Sequence, residues 1–246
     1  MEMMMITAEE RLMYQVMKAI CDSGIPVSFK GSMVLKAFLM EAGYFEETRH
    51  TVDIDGNWNS DDLPSAGQMA VSLQNALTRQ GIDLEVSISR MYGEGRSAGF
   101  ELADRNTGEI LFSMDLDVNR PVMPTKVYEA DGLCFRGAAP VQMIADKLSA
   151  VSSDKVFRRI KDVVDLYCLS KVFEFSKEDV LQRLIDSGRQ LGDFNGFLCR
   201  RAELEHSYEK FRFTGDVDKP PFEDVYQAVK QYIHSVLPKQ VSGTRE

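Results

Sequence analysis

The sequence predicts an α+β protein. A mixed sheet with helices is expected over residues 1–137, an all-helical segment over 138–239 and a disordered tail over 240–246. Three observations lead there. Segments with the two-residue alternation of a strand and segments with the 3.6-residue period of a helix interleave as far as Phe135, and beyond Gly137-Ala138-Ala139-Pro140 the period is helical nearly to the end. Strands mixed with helices, then helices alone, imply two structural parts with a cleft at their junction as the natural place for chemistry. The composition of 246 residues, 44% hydrophobic and 27% charged, is that of a globular chain with room for one large or two modest domains, and it excludes disorder, collagen and coiled coil.

The first helix starts at Thr7, where Thr7-x-x-Glu10 forms a capping box ahead of the stripe Leu12, Met13, Val16, Met17 and Ile20. After Gly24 and Pro26, Val27-Ser28-Phe29 suits a buried strand. It leads through Lys30-Gly31-Ser32 into a helix bearing Leu35, Phe38, Leu39 and Ala42 that stops at Gly43. A short strand from Thr51 to Gly56 follows, then a helix opened by Pro64-Ser65 and closed at Gly81. Leu84, Val86 and Ile88, then Phe100 and Leu102 after the Gly93-Glu94-Gly95 turn, then Ile110 to Val118 after Thr107-Gly108, read as an antiparallel meander. A small hairpin joins Val127-Tyr128 to Leu133-Phe135. In the helical half, apolar stripes mark helices at Val141–Val151, at Ile160–Cys168 and, after a Ser176 cap, at Val180–Ile185. Two more are expected over Gly196–Phe211 and, entered through Pro220-Pro221, over Phe222–Leu237.

Several function classes fall away on the same residues. No run approaches the roughly 18 to 20 apolar residues of a membrane span, and the N-terminal segment with Glu2, Glu9 and Glu10 lacks the apolar core of a signal peptide, so a cytoplasmic protein is expected. Cys21, Cys134, Cys168 and Cys199 are scattered with no C-x-x-C pair and read as buried thiols, and His50, His206 and His234 are equally isolated. The net charge of −9 argues against broad binding to nucleic acid or anionic membrane but leaves room for a local basic patch, with Lys155, Arg158, Arg159 and Lys161, or Arg200-Arg201, as candidates beside the plainer reading of solvated helix faces.

Chemistry concentrates in three places. In Asp53-Ile54-Asp55, strand alternation puts both carboxylates on one face, where a hard divalent ion would relieve their repulsion; a solvated strand edge is the plain alternative. Asp115 and Asp117 repeat that geometry on the strand that buries Phe112, Met114, Leu116 and Val118, so neighbouring strands would bring three or four carboxylates together. Lys30-Gly31-Ser32 places free backbone N–H groups, a hydroxyl and a lysine at a helix N-terminus, which suits an anion, or else is an ordinary serine cap.

This combination resembles the nucleotidyltransferase superfamily of DNA polymerase β type, and within it the AbiEii/AbiGii toxin family. That family opens a helix on Gly-Gly/Ser-Ser/Thr, follows with Arg-x-Ser/Thr-x-Asp-x-Asp and carries a third acid on a later strand. The chain has Phe29-Lys30-Gly31-Ser32, Arg49-His50-Thr51-Val52-Asp53-Ile54-Asp55 and Leu116-Asp117-Val118. The family's helical lysine and its Lys-Asp-x-x-Asp element correspond to Lys147 and to Lys161-Asp162-Val163-Val164-Asp165. Two departures stand out: twenty residues separate Ser32 from Asp53, more than the family spacing, and Lys30 replaces the family's first glycine.

The resemblance implies a nucleotidyltransferase that uses Mg2+ or Mn2+ to move an NMP from an NTP to an acceptor hydroxyl of RNA such as tRNA, or of a protein. Asp53, Asp55 and Asp117 would hold the metals, with Asp115 the rival for the third place; Lys30, Gly31, Ser32 and Lys147 would bind the nucleotide, and Lys161 and Asp162 would orient nucleotide or acceptor. It also implies the toxin of a toxin–antitoxin or phage-defence pair with a cognate antitoxin. A small-molecule nucleotidyltransferase of the antibiotic-modifying kind and a non-catalytic nucleotide-binding or interaction module are the alternatives. Taken by itself, Lys161 with Asp165 four residues on is an ordinary surface ion pair.

Overall fold

The computed structural model describes residues 6–44, 51, 53–93, 97–118, 120–213 and 219–237. Arg49, His50, Val52, Gly95, Arg96 and the tail from Gln240 lie outside them, as does most of the segment that takes up the long spacing after Gly43. The chain divides into two compact units, Met1–Met143 and Ile144–Glu246.

The first unit is built on a seven-stranded mixed sheet, which makes the fold α+β. Its helices are α1 (Ala8–Asp22), α2 (Gly31–Glu41) and α3 (Ala66–Arg79), and its strands are β1 (Val27–Lys30), β2 (Asp53–Trp58), β3 (Leu84–Tyr92), β4 (Ser97–Asp104), β5 (Ile110–Val118), β6 (Thr125–Ala130) and β7 (Leu133–Ala138). They lie in the order β3-β4-β5-β2-β1-β7-β6. β3, β4 and β5 form the expected antiparallel meander, β2 runs parallel to β5, and β1 is antiparallel to β2 and parallel to β7. A strand chemistry that needs two neighbours therefore has them at β2, between β1 and β5.

Local physics explains the elements. Both arms of the Thr7/Glu10 capping box form, and Glu10 also reaches across to Lys36 of α2 at 2.6 Å, so this buried acid joins the first two helices. Ser65 and Gln68 make the matching box at α3. The hairpin turn Asp131-Gly132 has φ of 54° and 75°, the left-handed pair that fits the twist of a two-residue connection. β7 then continues past the hairpin to pair with β1, so the expected small hairpin is the end of the main sheet.

Three expectations need correction. β2 runs through Gly56 to Trp58, because that glycine lies within the sheet, where a Cβ would stand 2.9 Å from Leu116. Alternation at Ile88 marks a strand but not burial, since β3 is an edge strand and that side chain is 41% exposed. Of the four cysteines only Cys168 is buried.

The second unit contains most of α4 (Pro140–Val151), a 3-10 turn at Val156–Arg158, α5 (Ile160–Ser170), α6 (Lys177–Asp186), α7 (Asn195–Cys199), α8 (Arg201–Lys210) and α9 (Phe222–Val236). The single helix expected over 196–211 breaks at Arg200. Gly196 packs so tightly on the carbonyl of Ser153 that a Cβ would stand 2.7 Å from it, and the Arg200 guanidinium donates to the Asp154 carbonyl, which pins α7 before α8 begins. Among the described residues no helix is long and apolar enough to cross a membrane.

Candidate active site

The strand registers decide which acids meet. Asp55 lies opposite Lys30 of β1 on one side and opposite Asp115 of β5 on the other, while Asn57 lies opposite Ser28 and Asp117. Residues level with one another in a sheet share a face. Asp53, Asp55 and Asn57 thus line up with Ser113, Asp115 and Asp117, and the opposite face carries the fully buried Ile54, Met114 and Leu116. Asp115, and not Asp117, is level with the D-x-D pair.

β2 and β5 are neighbours, which brings Asp55 level with Asp115. Among the described residues no group of three or more His, Cys, Asp or Glu is placed to hold a metal ion. Cations of the protein stand among these acids. The Lys30 ammonium donates to Asp117 Oδ2 and to Asn57 Oδ1, each at 2.7 Å, and Arg120 stands 3.8 Å from the other oxygen of Asp117. Asp115 is paired with Arg90 of β3, its Oδ1 being buried without a partner. The hydroxyl of Tyr92 is pushed up to about 12, by burial first and then by the charges of Asp115 and Asp117.

Gly31 and Ser32 each hold one of the β2 acids in place. Gly31 starts α2 with φ 77°, and a Cβ there would stand 2.4 Å from Asp55 Oδ2, so only glycine lets that carboxylate lie against the helix start. The positive end of α2 faces the protein's own anion. Ser32 is not the N-cap, a place taken by Lys30 without a side-chain bond. Its buried hydroxyl instead lies 2.5 Å from that of Thr51, which in turn donates to Asp53 Oδ1 at 2.7 Å. A hydroxyl has one proton to give, so Ser32 donates to Thr51 and the relay ends on Asp53.

Lys147 of α4 and Asp162 and Asp165 of α5 form a cluster within the helical unit. The Lys147 ammonium is 2.5 Å from Asp165 and 3.6 Å from Asp162, Arg159 approaches Asp162 at 2.8 Å, and the lysine and both acids are buried. The plain reading of Lys161 and Asp165 as a surface pair fails: Asp165 points inward to Lys147 and Lys161 is exposed. Arg200 pairs with Glu203 and stacks on Phe157, and Arg201 pairs with Glu223, so neither arginine is an uncompensated charge.

Sequence reading passed over Asn57, Arg90 and Tyr92. Asn57 was within reach, because it continues the face of Asp53 and Asp55 by alternation. Arg90 and Tyr92 needed the cross-strand register.

The fold has counterparts among solved structures. MenT4, a nucleotidyltransferase toxin from Mycobacterium tuberculosis H37Rv, matches 94% of this chain with 92% of its own at a TM-score of 0.53 and 14% identity. An antigenic nucleotidyltransferase-like protein from Paracoccidioides brasiliensis matches 81% of the chain with 91% of its own, at a TM-score of 0.48 and 13% identity. No curated protein matches at a significant level. The family model of the nucleotidyl transferase AbiEii toxin, of type IV toxin–antitoxin systems, matches residues 16–232, and the chain belongs to that family. It is a nucleotidyltransferase of the toxin–antitoxin kind, a family that works on NTPs with a divalent metal and implies an antitoxin as partner.

Proposed function

We propose that the protein transfers an NMP from an NTP to an acceptor hydroxyl of RNA or protein, with Mg2+ held by Asp53 and Asp55. The observation that carries this reading is the double brace on the strand acids: Ser32 through Thr51 on Asp53, and Gly31 against Asp55. Mg2+ keeps most of its water and binds through one or two carboxylates plus substrate phosphates, so two strand acids are a sufficient protein share. When bound, the ion screens the triphosphate and stabilises charge developing on the leaving pyrophosphate.

The remaining work falls to the chain's own groups. Asp53 and Asp55 would hold the ion, and the backbone around Gly31 and Ser32 lines the α2 end. Asp115, level with Asp55, is the rival of Asp117 for the role of third acid. In-line attack at the α-phosphorus needs no covalent enzyme intermediate, so positioning and charge neutralisation suffice. Within the helical unit, the Lys147–Asp162–Asp165 cluster is the candidate for contacts to nucleotide or acceptor, with Lys161 its exposed neighbour.

Calorimetric titration of each NTP with Mg2+ tests the reading, repeated on Asp53→Ala/Asp55→Ala, together with transfer of α-labelled NTP to RNA and to protein. Metal-dependent binding that vanishes in the variant supports it. Binding that survives the double substitution overturns it.

A further inference from the structure

Lys30 stands where the resemblance puts a glycine, so its role belongs to this chain. It ends β1 level with Asp55, yet its side chain passes over β2 to contact Asn57 and reaches Asp117 on β5. Adjacent strands lie about 4.8 Å apart, so β1 and β5 are separated by roughly 10 Å, and the lysine and aspartate side chains meet above the strand between them. The ammonium thus lies on the acid face, one alternation step from Asp55. Both partners are about one-fifth exposed, which leaves their attraction only partly screened.

On the preceding reading of Asp53 and Asp55, we propose that Lys30 is the fixed second cation of the site: it holds Asp117 and limits the carboxylates of β2 and β5 to one divalent ion. A pair of catalytic metals stands about 3.5–4 Å apart and needs carboxylates shared between them. In this chain the far carboxylate, Asp117, is given to a monovalent cation that never leaves. The consequence is that Asp117 has a counter-ion in the absence of metal. Removing the lysine's charge leaves Asp117 only the more distant Arg120, at 3.8 Å, and opens it to a second ion.

The test is to count Mn2+ ions, added alone, from the electron paramagnetic resonance signal of the free ion. Wild type should bind one per chain, and Lys30→Met should bind two. Lys30→Gln, which keeps hydrogen-bonding groups but no charge, should also bind two and serves if the methionine variant does not fold. Lys30→Met/Asp117→Asn should return to one. In a melting experiment, EDTA should lower the melting temperature of Lys30→Gln further than that of wild type, with Mg2+ restoring both. Two ions in wild type, or one in both charge-removed variants, overturn the role of Lys30. A single ion that persists in Asp53→Asn/Asp55→Asn, or no ion in any protein, overturns the reading of Asp53 and Asp55 on which it rests.

Discussion

The two units treat their charges in opposite ways. All of the net charge of −9 falls in Met1–Met143, whereas Ile144–Glu246 carries 17 Lys and Arg against 17 Asp and Glu. The helical unit buries its central charges together, Lys147 with Asp162 and Asp165. The sheet unit spreads half-buried acids along one face, with Lys30 on Asp117 and Arg90 on Asp115. A closed cluster with its own counter-ion supports the fold. A surplus of acids on a rigid strand costs stability unless a cation is supplied, and a surplus of that kind is kept where the cation has work to do.

The comparison breaks most visibly on Asp53→Ala/Asp55→Ala. Loss of both strand acids should lower nucleotidyl transfer by on the order of 10³-fold or more, since the metal-borne charge stabilisation goes with them. The melting temperature without metal should stay level or rise, because repulsion is relieved. Mg2+ should no longer raise it. A fall in melting temperature would show that these acids carry the fold, as the helical cluster does.

Lys147→Ala should do the reverse. Removing the lysine takes the ammonium away from buried Asp165 and leaves Arg159 on Asp162, a change of the kind that typically costs about 3–5 kcal/mol. The helical unit should melt earlier. Lys147→Ala/Asp165→Ala should recover part of the loss, because the stranded charge is removed. Equal melting of wild type and Lys147→Ala would mean that the cluster is solvated and the contrast between the units false.

What was legible in the sequence follows from range. The capping boxes at Thr7 and Ser65, the meander and the alternation that puts Asp53 and Asp55 on one face are local patterns, and each is present in the structure. The break at Arg200 depends on a glycine meeting a carbonyl some forty residues earlier, and no periodicity encodes that. The site divides along the same line. Local spacing picks out Asp115 and Asp117 as strand acids but cannot say which is level with Asp55, since only the β2–β5 register does so. Nor can it show that Lys30 and Arg90 claim them, contacts spanning 87 and 25 residues.

A subtler test of the sheet unit uses two glycines with the same backbone. Gly31 and Gly43 both have φ 77°, but a Cβ at Gly43 meets nothing within 4 Å whereas one at Gly31 meets the Asp55 carboxylate. Each alanine substitution should cost about 1–2 kcal/mol for the left-handed conformation. Gly31→Ala alone should also weaken Mg-dependent nucleotide binding, by roughly tenfold if Asp55 shifts enough to lose about 1.4 kcal/mol of interaction. Equal binding by the two variants, measured calorimetrically, would remove Gly31 from the site and leave it a turn residue.

The smallest expected effect lies at the β4–β5 turn. Asp104 accepts from the backbone N–H groups of Thr107 and Asn106, and those bonds, Thr107 first, hold its carboxyl below the usual 3.8. A depressed carboxylate stabilises the fold at pH values above its unfolded value, and that contribution is lost as pH falls through the lower folded value. Asp104→Ala should therefore melt slightly below wild type at neutral pH, with the gap steady down to about pH 5 and closing below about pH 4 as the turn carboxyl protonates. Its hydrogen bonds lie in exposed surroundings, so salt and solvent keep the gap small. A gap that widens in acid would mean that another group governs the turn. A gap as large as that of Lys147→Ala would mean that the meander, not the buried helical cluster, limits the stability of the chain.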